Sequence, residues 1–124
     1  MPCAGNVPVI VASGSINQPS GGDISTTTLF TPAADGVFRV SLYFDGVVAW
    51  AGNATSVIFS WTDDSGAQHI TMPMSNLPYG FSNSPHSAAI AIPIHAAAAV
   101  ITIATSGNTD TNNYTLYYIV EQLA

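Results

Sequence analysis

Three histidines, His69, His86 and His95, are the only imidazoles in the chain, and metal or acid–base chemistry would have to start from them. None stands in an HxH or HxxxH spacing, the arrangements that place two imidazoles on one strand or helix face. Loops could carry two of them to an aspartate and hold zinc. Scattered histidines are more often solvated or hydrogen-bonded, and no metal is expected. The run Asp63-Asp64-Ser65-Gly66 offers the oxygens that calcium takes, without the spacing of a calcium loop. Its composition is that of a turn. Asp110 with Asn108, Asn112 and Asn113 reads the same way.

Nucleophilic chemistry finds little support. There is no GxSxG elbow, Cys3 is the only cysteine, and Glu121 is the only glutamate to set against the turn aspartates. No enzymatic activity and no cofactor are expected. Aromatic residues are the other candidates. Trp50, Trp61, Tyr114, Tyr117 and Tyr118 fall in strand-like segments, where core or subunit packing explains them. Tyr79 and Phe81, with His86, lie in the long segment Met74 to Ser87, MSNLPYGFSNSPHS. They are the residues of a possible ligand loop, such as a carbohydrate platform. Arg39 is the only cation, and among seven acids it is expected to pair with a carboxylate, within the chain or across an interface.

The elements that must position these residues are strands. Thr26 to Gly46 holds the clearest pattern: after Pro32 and Asp35-Gly36, Phe38, Val40, Leu42 and Phe44 alternate with Val37, Arg39, Ser41, Tyr43 and Asp45. A period of two with aromatic and β-branched residues marks a half-buried strand. Asp45-Gly46 is read as the turn of a hairpin, leading to Val47 to Ala51. Val7 to Ala12 carries Pro8 and is read as an edge strand or an arm, and Ser13 to Ile24 as a loop rich in Gly and Ser. Thr55 to Thr62 and Ala67 to Met72 form a hairpin about the Asp63–Gly66 turn. Ala88 to His95 and Val100 to Ile103 are strands, joined by Ala96 to Ala99 as a turn because that run is too short to nucleate a helix. Ser106 to Asn113 is a loop, and Tyr114 to Leu123 a last strand apolar on both faces, which must be covered on both. Eight or nine short strands without a helix make an all-β antiparallel sandwich or jelly roll in a single domain, residues 1–124, with residues 1–12 as its edge strand or arm.

Composition narrows the partners. Of the 124 residues 48% are hydrophobic and only 6% charged, where roughly 25% charged is ordinary. A β-rich chain with so few charges cannot guard its edges by repulsion. Its surface is therefore expected to be covered by copies of itself or by a larger assembly. With a net charge of −6 and no lysine, the chain lacks the cations that displace phosphate counterions, so nucleic acid and anionic membranes are not expected partners. No apolar run reaches the roughly 20 residues of a spanning helix. The opening MPCAGNVPVIVAS lacks the charged and apolar regions of a signal peptide, so synthesis in the cytoplasm is expected.

The stretch from Phe30 through Gly36, Phe38, Val40 and Ser41 resembles the trimeric jelly rolls of the C1q/TNF type, with Pro32 one place early for that pattern. The chain as a whole resembles small virion proteins of tailed bacteriophages. The resemblance implies a homotrimer with an interaction role. The expected task is that of a virion structural protein, a capsid decoration or cement protein bound to the major capsid or another virion protein. A carbohydrate-binding module of a tail fibre or cell-surface protein is the alternative. Val7, Val9, Arg39, Tyr114, Leu116, Tyr117 and Tyr118 are the expected interface residues.

Overall fold

A computed structural model describes residues 7–19, 21–46, 55–73, 86–108 and 113–124. Eight strands follow in order: β1 (Val9–Gln18), β2 (Thr27–Phe30), β3 (Gly36–Gly46), β4 (Ser56–Asp63), β5 (Gly66–Pro73), β6 (His86–Ala96), β7 (Ile101–Ser106) and β8 (Tyr114–Gln122). They form two four-stranded sheets, ordered β1-β8-β3-β6 and β2-β7-β4-β5. Every ladder is antiparallel. Among the described strands, only β4 and β5 are consecutive and paired in one sheet, and every other pair of successive strands lies in different sheets. This is the double Greek key of a jelly roll. No helix among the described residues is long and apolar enough to cross a membrane.

The alternation read in β3 sets the core. Phe38, Val40, Leu42 and Phe44 are buried beside Leu116 and Val120 of the neighbouring β8 and meet Val57 and Phe59 of β4 and Ile101 and Ile103 of β7 from the other sheet, in one cluster. Burial of aliphatic and aromatic side chains at roughly 25 cal/mol per Å² is the main favourable term holding the sheets together. β6 is an edge strand, the position in a sheet that tolerates its Pro93.

Two expectations are corrected. Asp45-Gly46 does not turn a hairpin. It stays within β3, opposite Thr115 and Tyr114 of β8 on one side and Ser87 and His86 of β6 on the other. With both flanks of β3 occupied, no following strand can fold back on it, and β4 lies in the other sheet. The segment 47–51 lies outside the described residues. The expected loop from Ser13 is strand as far as Gln18, paired with β8 from Ala12 opposite Val120 to Gln18 opposite Tyr114. Gly14 and the serines have weak strand propensity, but the long β8 offers a full ladder and tertiary pairing prevails. β1 lies at an edge of its sheet, and its register shifts between Ile10 and Ala12.

One end of the sandwich is closed by polar side chains. The Tyr114 hydroxyl donates to the Gly22 carbonyl at 2.6 Å and lies 3.1 Å from Thr105 Oγ1. Having one proton, the phenol then accepts the proton of Thr105. Thr105 Oγ1 in turn accepts from Ile24 N at 2.7 Å, and Asp23 Oδ1 accepts from Asn108 N at 2.9 Å. This network ties the β1–β2 connection to β7 and β8. Burial raises the Tyr114 pKa above its ordinary value, with the Thr105 hydrogen bond opposing. A raised phenol pKa means that the fold favours the neutral form, so its stabilisation is complete below pH about 10 and lost as pH rises through the folded-state value. Tyr114→Phe is expected to cost about 1–3 kcal/mol in urea unfolding at pH 7. Its stability should also fall less steeply above pH about 10 than that of the parent.

Candidate functional site

The outward half of the β3 pattern builds the most distinctive surface. Because β3 is paired on both sides, its outward residues have fixed neighbours. Arg39, Ser41 and Tyr43 lie opposite Glu121, Ile119 and Tyr117 of β8 and opposite Pro93, Ala91 and Ala89 of β6. Tyr43 and Tyr117 are 44% and 48% exposed, and Ile119 is 40% exposed. The two tyrosine rings sit side by side, with centroids 6.3 Å apart and planes tilted by 38°. The small residues Ser41, Ala89 and Ala91 leave an open groove of about 410 Å³ against Tyr43, Tyr117 and Ile119. Such a surface offers stacking and apolar contact, with few polar groups to orient a small ligand.

An ion pair on this face joins Arg39 Nε to Glu121 Oε1 at 3.0 Å. The hydrogen bond and the charge of Glu121 hold the guanidinium pKa above its ordinary value, so it stays charged. As a surface pair it adds little to stability. Its consequence is electrostatic: the only cation and the only glutamate cancel within the face. Of the other acids described, Asp23 and Asp45 lie toward one end of the sandwich, and Asp35, Asp63 and Asp64 toward the other.

The expected interface residues fall in different environments. Arg39 and Tyr117 share the outer face. Tyr114 and Leu116 point into the core, 1% and 0% exposed. Tyr118 is half-buried over Gly14, where an added Cβ would come within 2.9 Å of the phenol oxygen. Val7 and Val9 are exposed with Ile10 at the free edge of the same sheet. Tyr43, Ile119, Ala89 and Ala91 belong to the face and were not among the expected contacts. Their signal was the same alternation that located the core, followed on its other phase. Tyr79 and Phe81 of the expected ligand loop lie outside the described residues, as does the side chain of His86. Trp61 is packed against the core beside Phe59, with ring centroids 5.4 Å apart. His69 is exposed on β5, beside a smaller groove of about 290 Å³. Among the described residues, one set of possible metal ligands converges: Asp35, Asp64 and His95.

The sequence matches no family model and no curated protein. The fold does match solved structures. The PRD1 vertex protein P5 superposes with a TM-score of 0.55 at 10% identity, over 94% of this chain and 99% of that one. The acidic stable capsid of the Helicobacter pylori bacteriophage KHP30 gives a TM-score of 0.50 at 16% identity, over 94% of each chain. The likeness is one of fold: this chain is an all-β sandwich of the kind found in phage vertex and capsid proteins.

Neighbouring residues of β8 test the core and the outer face. Leu116→Ala is expected to cost about 2–5 kcal/mol in urea unfolding, through the cavity it leaves. Tyr117→Ser in dilute solution is expected to change stability by no more than about 0.5 kcal/mol, as for other surface positions.

Proposed function

We propose that this protein is a non-enzymatic structural component of a phage-type virion. In this reading it assembles as a homotrimer and decorates or cements the shell by binding the major capsid or another virion protein. The observation that carries the reading is the near-complete overlap with the PRD1 vertex protein, which takes in 94% of this chain and 99% of the other.

Charge and shape support self-association through the outer face of the β1-β8-β3-β6 sheet. Each copy carries a net charge of −6, so copies repel wherever unpaired acids meet. The outer face instead presents Tyr43, Tyr117 and Ile119 around a cancelled ion pair. Exposed aromatics beside a cancelled ion pair, with Asp45 only at the end of the face, are the composition of an interface core. Lateral packing of copies would cover the second apolar face of β8. The acidic ends would remain free for a shell partner that supplies the cations this chain lacks.

Native mass spectrometry over a concentration series tests the assembly. A trimer is expected for the parent chain. Arg39→Ala, which leaves Glu121 uncompensated in the face, is expected to shift the population toward monomer at equal concentration. A parent chain that stays monomeric at every concentration would overturn the assembly reading. Co-sedimentation with shells of the virion's major capsid protein then tests decoration, with saturable binding expected.

A further inference from the structure

Three side chains from separate parts of the chain converge at the end of the sandwich opposite Tyr114. Asp35 immediately precedes β3, Asp64 lies in the β4–β5 turn, and His95 is the next-to-last residue of β6. One donor atom of each lies within 4.8 Å of the other two, and all three residues are exposed. The ladder explains the first pair. Gly36 is opposite Ala96 and Val37 opposite His95, which brings Asp35 to the same end of the β3–β6 ladder as His95. Asp64 comes from the other sheet, on a turn held by its neighbours. Asp63 Oδ1 accepts from Ser65 N at 2.8 Å and from Gln68 Nε2 at 3.2 Å, and Gly66 closes the turn with φ 115°. The β6–β7 connection is tied to β4 as well, since Ala97 N donates to the Thr62 carbonyl at 2.8 Å.

We propose that Asp35, Asp64 and His95 form a binding site for a divalent metal of the zinc type, which staples the two sheets together at this end. An imidazole with two carboxylates is a zinc donor set, and a fourth position remains for water. Calcium takes oxygen ligands only, six or more of them, so the imidazole selects against it. The geometry is near closure. A point equidistant from three atoms 4.8 Å apart lies about 2.8 Å from each, and zinc bonds to nitrogen and oxygen run about 2.0–2.2 Å. An inward swing of less than about 1 Å by each exposed side chain completes the site, which rotamer freedom at the surface permits. The drive is electrostatic. The fold holds two carboxylates close together in a chain whose one cation is engaged by Glu121. A bound dication relieves that repulsion and joins the β3–β6 side of one sheet to the β4–β5 hairpin of the other.

The test is titration of zinc chloride into the metal-free full chain by calorimetry, paired with thermal melts. One zinc per chain is expected, with Tm raised by about 4 °C or more at saturating metal. His95→Gln and Asp64→Asn are each expected to weaken binding at least about tenfold and to lose the Tm gain. Their metal-free Tm should match the parent, because the residues are exposed. His69→Gln is expected to keep both binding and Tm gain. Zinc binding that survives in the His95→Gln/Asp64→Asn double variant would overturn the site. So would binding lost in His69→Gln, no binding by the parent, or an equal Tm gain with calcium.

Discussion

The double-sided pairing of β3 is the constraint on which the rest of the structure depends. Eleven residues, Gly36–Gly46, are laddered to β6 on one flank and, over most of their length, to β8 on the other. With both flanks committed, the strand's only freedom is which face meets the core. The sequence settles that by placing Phe38, Val40, Leu42 and Phe44 on one phase of the pleat, because a shift of one residue would expose all four. The opposite phase is then fixed as well. Tyr43 must stand beside Tyr117, and Arg39 beside Glu121. The hydrophobic pattern that builds the core thus also composes the outer surface.

That surface reconciles the unusual composition with a stable fold. A jelly roll leaves edge strands, here β1, β6, β2 and β5. Natural sheets commonly protect such edges with charge. This chain has little charge to spend there, and its described aspartates lie toward the two ends of the sandwich, away from the middle of the outer face. In the proposed assembly, the middle of this face packs laterally against other copies and the acidic ends meet other partners.

The fold was legible in the sequence wherever the period of two was strong. β3, the β4–β5 hairpin about Asp63–Gly66 and the terminal β8 emerge close to their observed bounds. It was misread where local signals opposed tertiary pairing. Asp45-Gly46 has the dipeptide of a hairpin turn and lies inside a ladder, and Ser13–Gln18 has the composition of a loop and pairs with β8. In both places the information sits in the partner strand. The candidate surface was half legible. The expectation that β8 has two apolar faces singles out Tyr117, yet Tyr114 and Leu116 were grouped with it although alternation assigns them to the core. The convergence of Asp35, Asp64 and His95 could not be read at all, because the residues are far apart in sequence and meet only when the two sheets close on each other.

In the proposed assembly, the tyrosine face is open in the single chain and covered in the oligomer. Nitration of tyrosine, mapped by peptide mass spectrometry at low and at high protein concentration, tests it most directly. Tyr43 and Tyr117 should be modified in dilute solution and protected together as concentration rises, while buried Tyr114 stays unmodified throughout. Equal modification of Tyr43 and Tyr117 at all concentrations, in a sample shown to be oligomeric, would mean that the copies meet elsewhere and would contradict the account.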